Sequence, residues 1–512
     1  MQVANRVAKN TGILYAKMGV TVFMSLYTAR LILNTLGAAD FGIFNVVGGV
    51  IAMLGFLNAS MTVATQRFMS FAQGAGDPEK QKNIFNVSVV LHLLMAFIVF
   101  IMLEIAGYFF FHNILNIPEA RVPVAKIVYQ FMIVSTFFTI ISVPYDALIN
   151  AHENMLYYAI VGIIEAVLKL AIAFYITTTG FDKLTTYGLL MAVLPITLLI
   201  IQRIYCVRKY DECRINLRKY YRKTLFIEMS NFSGLSLVFS AASMITMQGI
   251  SIILNSFFGV IVNAAQGIAS QISGQLMAFS NTMLKALNPV IVKSEGENNR
   301  KQMLDASVIG NKLSFFLFTF FSIPAIIEMP FILHFWLKNV PEYAVIFCQL
   351  SLFRLCITQL TITFGTSISA IGNIKQYTIM RSIVYVAFLP TSYFMYSNGA
   401  PPFIIYINLI VLVIVSMFID VYYMQKLCGL SIKRFINDIF SRCAVAAVIN
   451  SAISTLPIFF LPAGFLRFIL VLLISSLTFF LSLFFFGLTK TEKKMIQMIL
   501  SVTIEKIKSK KA

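Results

Sequence analysis

The chain has 512 residues, 59% of them hydrophobic and only 12% charged, with a mean hydropathy of +0.83 and a net charge of +19. An ordinary soluble protein is about 45–50% apolar and about 25% charged, so this apolar excess cannot be hidden inside a water-soluble shell. These values exclude a soluble enzyme and a single-span anchor carrying a large domain.

A hydrocarbon core about 30 Å thick takes roughly 20 apolar residues per helix. Hydropathy with turn and charge breaks gives fourteen such spans: 12–36, 41–66, 84–111, 124–150, 155–178, 184–207, 226–254, 259–288, 309–336, 342–371, 376–397, 402–425, 442–461 and 465–488. Two splits are close, one at Gly37–Asp40 and the other at Ser256–Gly259. Outer-membrane strands alternate apolar and polar residues over about 10 positions. The continuous apolar runs 160–176 and 465–487 do not, which removes the barrel alternative. The expected fold class is an all-α polytopic membrane protein. The expected domains are an N-lobe over 1–207, a basic loop 208–225, a C-lobe over 226–425, two further helices over 426–488 and a basic tail 489–512.

Direction follows from Lys and Arg, which stay in short cytoplasmic loops. One side carries 27 of them, including seven in 208–223 and seven in the tail, against Arg121, Lys183, Lys338 and Arg467 on the other. Both termini are therefore expected in the cytoplasm, and topology plus an anionic inner leaflet explains the positive charge without nucleic acid. The tail sets Ile496, Ile499, Leu500, Thr503, Ile504 and Ile507 on one helical face between lysines, as in a helix lying on a membrane surface. The N-terminus lacks a cleavage site after a short apolar run, so the first helix is expected to be retained. Cys206, Cys213, Cys348, Cys356, Cys428 and Cys443 form no CxxC pair, and no disulfide framework is expected.

The chain repeats itself. Phe41-Gly42 and Phe258-Gly259 each open an even-numbered span after a helix rich in Ser, Thr and Asn. The first such span has a small or polar stripe of Asn45, Gly48, Ala52, Gly55, Ala59, Thr62 and Gln66. The second has Asn263, Gln266, Gly267, Ser270, Gln271, Gly274, Gln275, Ala278, Asn281 and Lys285. Two pseudo-symmetric six-helix lobes plus two helices follow, a parallel repeat that points to a transporter with substrate held between lobes. Small residues also serve close helix packing. The amides and lysine of the second stripe exceed that need.

Ionisable groups at membrane depth are costly and suggest function. Lys17, Asp146, Glu228, Lys312, Arg381 and Asp420 lie near cytoplasmic helix ends, where snorkelling is the expected role. Glu165 and Lys169 sit mid-span at i, i+4, either as a structural ion pair or as a coupling and binding element. Arg354 is mid-span with no acid nearby in sequence, and Arg30 and Glu104 lie in the outer thirds of their spans. The first and eighth spans offer Lys17, Arg30 and Lys285 and no acid, so the cavity is expected to be cationic and suited to phosphate. Arg30, Lys169, Lys285 and Arg354 are the candidates for an anionic head group. Asn263, Gln266, Gln271, Gln275 and Asn281 form a polar cavity stripe, and Glu165 and Glu104 are candidates for ion coupling. The four histidines are scattered without metal-ligand spacing, and no GxxxxGK[ST] loop occurs, so no catalysis, cofactor or metal is expected. Prolines 144, 195, 289, 324 and 390 mark kinks or span ends.

The run ARLILNTLGAADFGIFNVVGGV (29–50), with Arg30, Gly37, Phe41 and Gly42, resembles the opening signature of bacterial polysaccharide flippases of the Wzx type. Arg67 in TVATQRFMS and the segment 257–290 resemble further family features. These flippases fall in the multidrug/oligosaccharidyl-lipid/polysaccharide (MOP) exporter superfamily, related to MATE transporters. The resemblance implies a MATE/MOP-like fold and a bacterial inner-membrane location. It implies movement of a polyprenyl-pyrophosphate-linked oligosaccharide, such as an O-antigen, capsule or exopolysaccharide repeat unit, driven by H+ or Na+. The lipid bilayer, a polysaccharide polymerase and glycosyltransferases are the implied partners, and a monomer is expected. The alternatives are a MATE-like drug or metabolite cation antiporter and a membrane scaffold for glycan assembly.

Overall fold

A computed structural model describes residues 2–52, 54–111, 118–489 and 492–493. The expected tail face from Ile496 to Ile507 lies outside the described residues. In chain order the helices are α1 (Gln2–Ala52), α2 (Gly55–Ala75), α3 (Pro78–Phe109), α4 (Val122–Ala151), α5 (Met155–Thr178), α6 (Lys183–Lys209), α7 (Leu217–Tyr220), α8 (Lys223–Gly296) and α9 (Arg300–Ile327). They continue with α10 (Met329–Leu337), α11 (Ala344–Gln359), α12 (Phe364–Ile371), α13 (Lys375–Ser397), α14 (Ile404–Tyr423), α15 (Ile432–Arg434), α16 (Ser441–Ser454), α17 (Leu456–Phe460) and α18 (Phe465–Ser482). Among the described residues there is no strand.

Helix starts follow their caps. Asp77 accepts from the Lys80 N–H at 2.9 Å ahead of Pro78, Asn154 caps α5, and Asp182 accepts from the Thr185 N–H at 2.8 Å to start α6. Gly76, at φ 65°, closes α2 in the left-handed conformation. The five prolines all lie inside helices, where each removes a backbone hydrogen bond.

Among the described residues ten helices are long and apolar enough to cross a membrane, eleven if α11 and α12, bent by 40°, count as one span. The fourteen expected spans are compatible with this. The 74-residue α8 holds two of them, while the expected span 41–66 falls across the end of α1 and the start of α2, and α13 is helical but less apolar. This is a multi-pass membrane protein, and its outer shell carries exposed Phe23, Leu26, Phe394, Phe418 and Leu473, as lipid contact requires.

α1 and α8 are each two helices joined at a glycine, Gly37 (φ 76°, ψ 165°) and Gly259 (φ 77°, ψ −170°). That region of backbone space is open in practice only to glycine. The backbone breaks thus fall at Gly37 and Gly259, within the two close splits read at Gly37–Asp40 and Ser256–Gly259. Gly42 stays within helical backbone. The Phe-Gly dipeptides match as side chains, whereas the break is a property of the backbone.

The chain divides into two compact units, and the division falls inside α8, at Ala242. The first comprises Asn10–Ala241 with Val292–Asn299, and the second Ala242–Ile291 and the chain from Arg300 onward, with the segment before Asn10. In the first unit a core of Val47, Ala96, Leu103, Ala125, Val128, Ile133 and Leu184 ties α1, α3, α4 and α6. The end of α2 crosses the end of α8 so closely that a Cβ at Gly74 would stand 2.1 Å from the Lys293 carbonyl oxygen. One at Gly296 would stand 2.2 Å from that of Phe71. Arg67 lies beside the crossing, over the rings of Phe68, Phe71 and Phe232 and within reach of the charges of Glu228 and Glu295.

The second unit is held by small polar residues as well as by apolar packing. Asn311 on α9 accepts from the Thr363 N–H at 2.8 Å, and Ser307 and Thr363 share a hydrogen bond of 2.8 Å. Several charges expected to snorkel are packed inside instead. Asp420 accepts from Tyr377 and Thr361 (each 2.9 Å) and pairs with Arg381 at 3.3 Å. Lys312, 2% exposed, pairs with Glu492 at 2.6 Å, and Glu492 also caps the turn that starts at Thr489. Pairing replaces hydration for these groups, so helix-end position alone misassigned them.

Candidate functional site

A cleft of about 340 Å³ opens in the first unit between the first limb of α1 and α5. Lys17, Thr21, Ser25 and Thr28 line it from α1 at helical spacing, and Gly162, Glu165, Ala166 and Lys169 line it from α5. Lys169 donates to Glu165 at 2.7 Å, each about 40% exposed, so this pair closes its own charge. Lys17 lies across Gly162 with its ammonium 4.7 Å from the centre of the Tyr158 ring, and it makes no ion pair among the described residues. A Cβ at position 162 would stand 2.1 Å from Lys17 Cε, so only glycine leaves room for this approach. The cleft thus holds two ammonium groups against one carboxylate, with hydroxyls on one wall. That set of groups is chemically suited to an anion.

Of the expected site residues, the cleft gathers Glu165 and Lys169 and adds Lys17, Thr21, Ser25 and Gly162. The Thr21/Ser25/Thr28 stripe has a sequence signal in its spacing from Lys17, but the role of Gly162 has none. Arg30 is exposed further along α1, outside the cleft lining. Glu104 belongs to another surface, where it accepts from Gln130 of α4 at 3.1 Å. Lys285, Arg354 and the amide stripe lie in the second unit. There Gln271, Gln275 and Asn281 are exposed along with Gly267, Ser270 and Gly274, a polar face unsuited to lipid. Gln266 is turned inward, accepting from the Tyr406 hydroxyl and donating to Ser270 at 3.2 Å, and Asn263 is half-buried.

Two charged clusters flank the helix ends of the first unit. Arg121 binds Asp40, just past the Gly37 break, through Nε at 2.9 Å, and Asp182 through Nη1 at 2.7 Å. Burial alone would raise the Asp182 carboxyl. The Thr185 N–H and the Arg121 guanidinium outweigh it and hold the carboxyl below the usual range. At the other end His152 Nε2 meets Glu212 at 2.5 Å and stacks on Tyr210, with ring centres 4.2 Å apart.

Residues 16–175, which include the whole cleft lining, match the MatE family model. A membrane protein of Bacillus subtilis (strain 168), EpsK, itself uncharacterized, is 29% identical over 106 residues. The match spans 20% of this chain and 20% of that protein. A multidrug resistance MATE family transporter of the MOP superfamily, solved in an outward-facing conformation, superposes with a TM-score of 0.70 at 15% identity, covering 83% of this chain and 95% of that one. A MOP superfamily transporter from Pyrococcus furiosus, described as having a binding pocket of reverse polarity that suggests a different function, gives 0.68 at 16% identity over 83% and 95%. The chain has the fold of the MATE transporters.

Proposed function

We propose that this chain is a transporter that moves a polyprenyl-pyrophosphate-linked oligosaccharide from the cytoplasmic to the outer leaflet by ion-coupled alternating access. The observation that carries this is Lys17, an ammonium without a carboxylate partner among the described residues, held over Tyr158 beside the self-neutralised Glu165–Lys169 pair. A pyrophosphate supplies the missing negative charge, and Ser25 offers a hydroxyl donor beside it. Opening of the Glu165–Lys169 pair would let Lys169 join Lys17 at the head group, which offers a route for coupling to an ion gradient. The exposed amides of α8 suit the glycan, while the polyprenyl chain stays in lipid. The reversed pocket polarity described for the Pyrococcus transporter is a precedent for a MOP fold with a site unlike that of a cation exporter.

Glu165 favours a second reading, a cation antiporter, because it is the carboxylate in the cleft. Depletion of the chain in cells decides between them. Loss of surface polysaccharide with lipid-linked repeat units left on the inner leaflet supports the flippase. Normal surface glycan, with cation efflux eliminated by Glu165→Gln, supports the antiporter.

A further inference from the structure

The second unit holds a half-buried cation that no acidic residue answers among the described residues. Arg354 lies in the second half of α11, its Nε sealed from solvent and donating to nothing among the described residues. The groups that act on it electrostatically are Tyr385 of α13 and Tyr406 of α14, and the Tyr406 hydroxyl is already given to Gln266 of α8. Phe347, one face of the same helix, is fully buried with its ring centre 4.9 Å from that of Tyr406.

Elimination makes the deficit specific. The stretch of α8 in this unit contains no Asp or Glu. Among the described residues, Glu328 is bound to Arg467, Asp420 to Arg381, Asp305 and Asp438 to Arg434, and Glu492 to Lys312. Glu342 precedes α11 and stands about 18 Å from Arg354 along the helix direction at 1.5 Å per residue. A guanidinium does not shed its proton in a protein, so it cannot neutralise itself as a buried lysine can. Among the described residues of this unit, no carboxylate is left to supply its countercharge.

We infer that the second unit binds a small monovalent inorganic anion, chloride in a chloride-containing medium, at the guanidinium of Arg354 between α8, α11, α13 and α14. The Tyr406 ring beside Arg354, backed by Phe347, favours a compact ion over a branched pyrophosphate, and the partial exposure of Arg354 gives the ion a way in. This site is independent of the cleft at Lys17. It stands or falls apart from the transport reading.

The test uses the full-length protein in lipid nanodiscs, with the unfolding midpoint followed by intrinsic fluorescence. Chloride is titrated against gluconate at constant ionic strength. The wild type is expected to show a saturable rise in midpoint with chloride. Arg354→Gln loses that rise, Arg354→Lys keeps it with weaker half-saturation, and Lys17→Gln leaves it unchanged. A wild type with equal midpoints in chloride and gluconate overturns the proposal, as does an Arg354→Gln variant that keeps the chloride response. Should Arg354→Gln fail to fold, an unaltered half-saturation in Arg354→Lys overturns it equally. A wild-type midpoint raised by a polyprenyl pyrophosphate and not by chloride, with that rise lost in Arg354→Gln and kept in Lys17→Gln, assigns Arg354 to the carried substrate and rejects the ion.

Discussion

Gly162→Ala separates the cleft's function from the protein's stability. The new methyl would stand 2.1 Å from Lys17 Cε, 2.6 Å from Nζ and 3.3 Å from Cδ, so the ammonium end has to retreat by over an ångström. Folding gains about 0.8–1.0 kcal/mol from alanine in a helix interior. It loses about 0.5–2 kcal/mol with the cation–π contact to Tyr158. These terms nearly cancel, and the unfolding midpoint should stay close to that of the wild type. A charge-assisted contact to a head-group phosphate contributes about 1.5–3 kcal/mol, so its loss weakens substrate affinity about ten- to hundredfold. The assay is flipping of a lipid-linked oligosaccharide in proteoliposomes, with protein level and midpoint measured on the same preparations. A double-mutant cycle supplies the control: in a Lys17→Met background Gly162→Ala should be silent, because its effect runs through Lys17. Full activity in Gly162→Ala, or an equal further loss in the Lys17→Met background, refutes the reasoning.

Two further outcomes follow from the buried and clustered charges. Glu492→Gln leaves Lys312 buried without its partner and should destabilise by about 3–5 kcal/mol, whereas Lys312→Met with Glu492→Gln should recover most of that loss in thermal unfolding. The Asp182 carboxyl is held below its ordinary value, so its contribution to stability is present above about pH 4 and is lost as pH falls through the lower folded value. Arg121→Gln should therefore flatten the acid limb of the midpoint-versus-pH curve and leave its neutral limb little changed in slope.

What the sequence could tell depended on whether a feature is local. The two close splits near Gly37 and Gly259 are visible because a glycine with polar residues within three positions (Asp40, Ser256) interrupts an apolar run, and the chain does break there. Glu165 and Lys169 are visible as a pair because i, i+4 spacing puts them on one face of α5. Lys17 is legible as a cation of an acid-free span, but nothing in its own helix reveals that Gly162, on another helix, leaves a slot for it. Arg381 and Asp420 were misread for the same reason, since their partnership, with Tyr377 and Thr361, crosses from α13 to α14. Helix-end position measures distance from water along one helix, and it is blind to a countercharge on the next.

Where Gly74 and Gly296 meet, two main chains touch with no side chain between them. Ordinary helix contacts loosen by degrees, as rotamers change and methyl groups shift to fill small gaps. This joint has nothing of that kind to give, because carbonyl oxygens already occupy the space that any Cβ would take. It resembles a latch more than a hinge: seated or released, with no half-open setting. A larger residue at either position would therefore not tune the contact but forbid it.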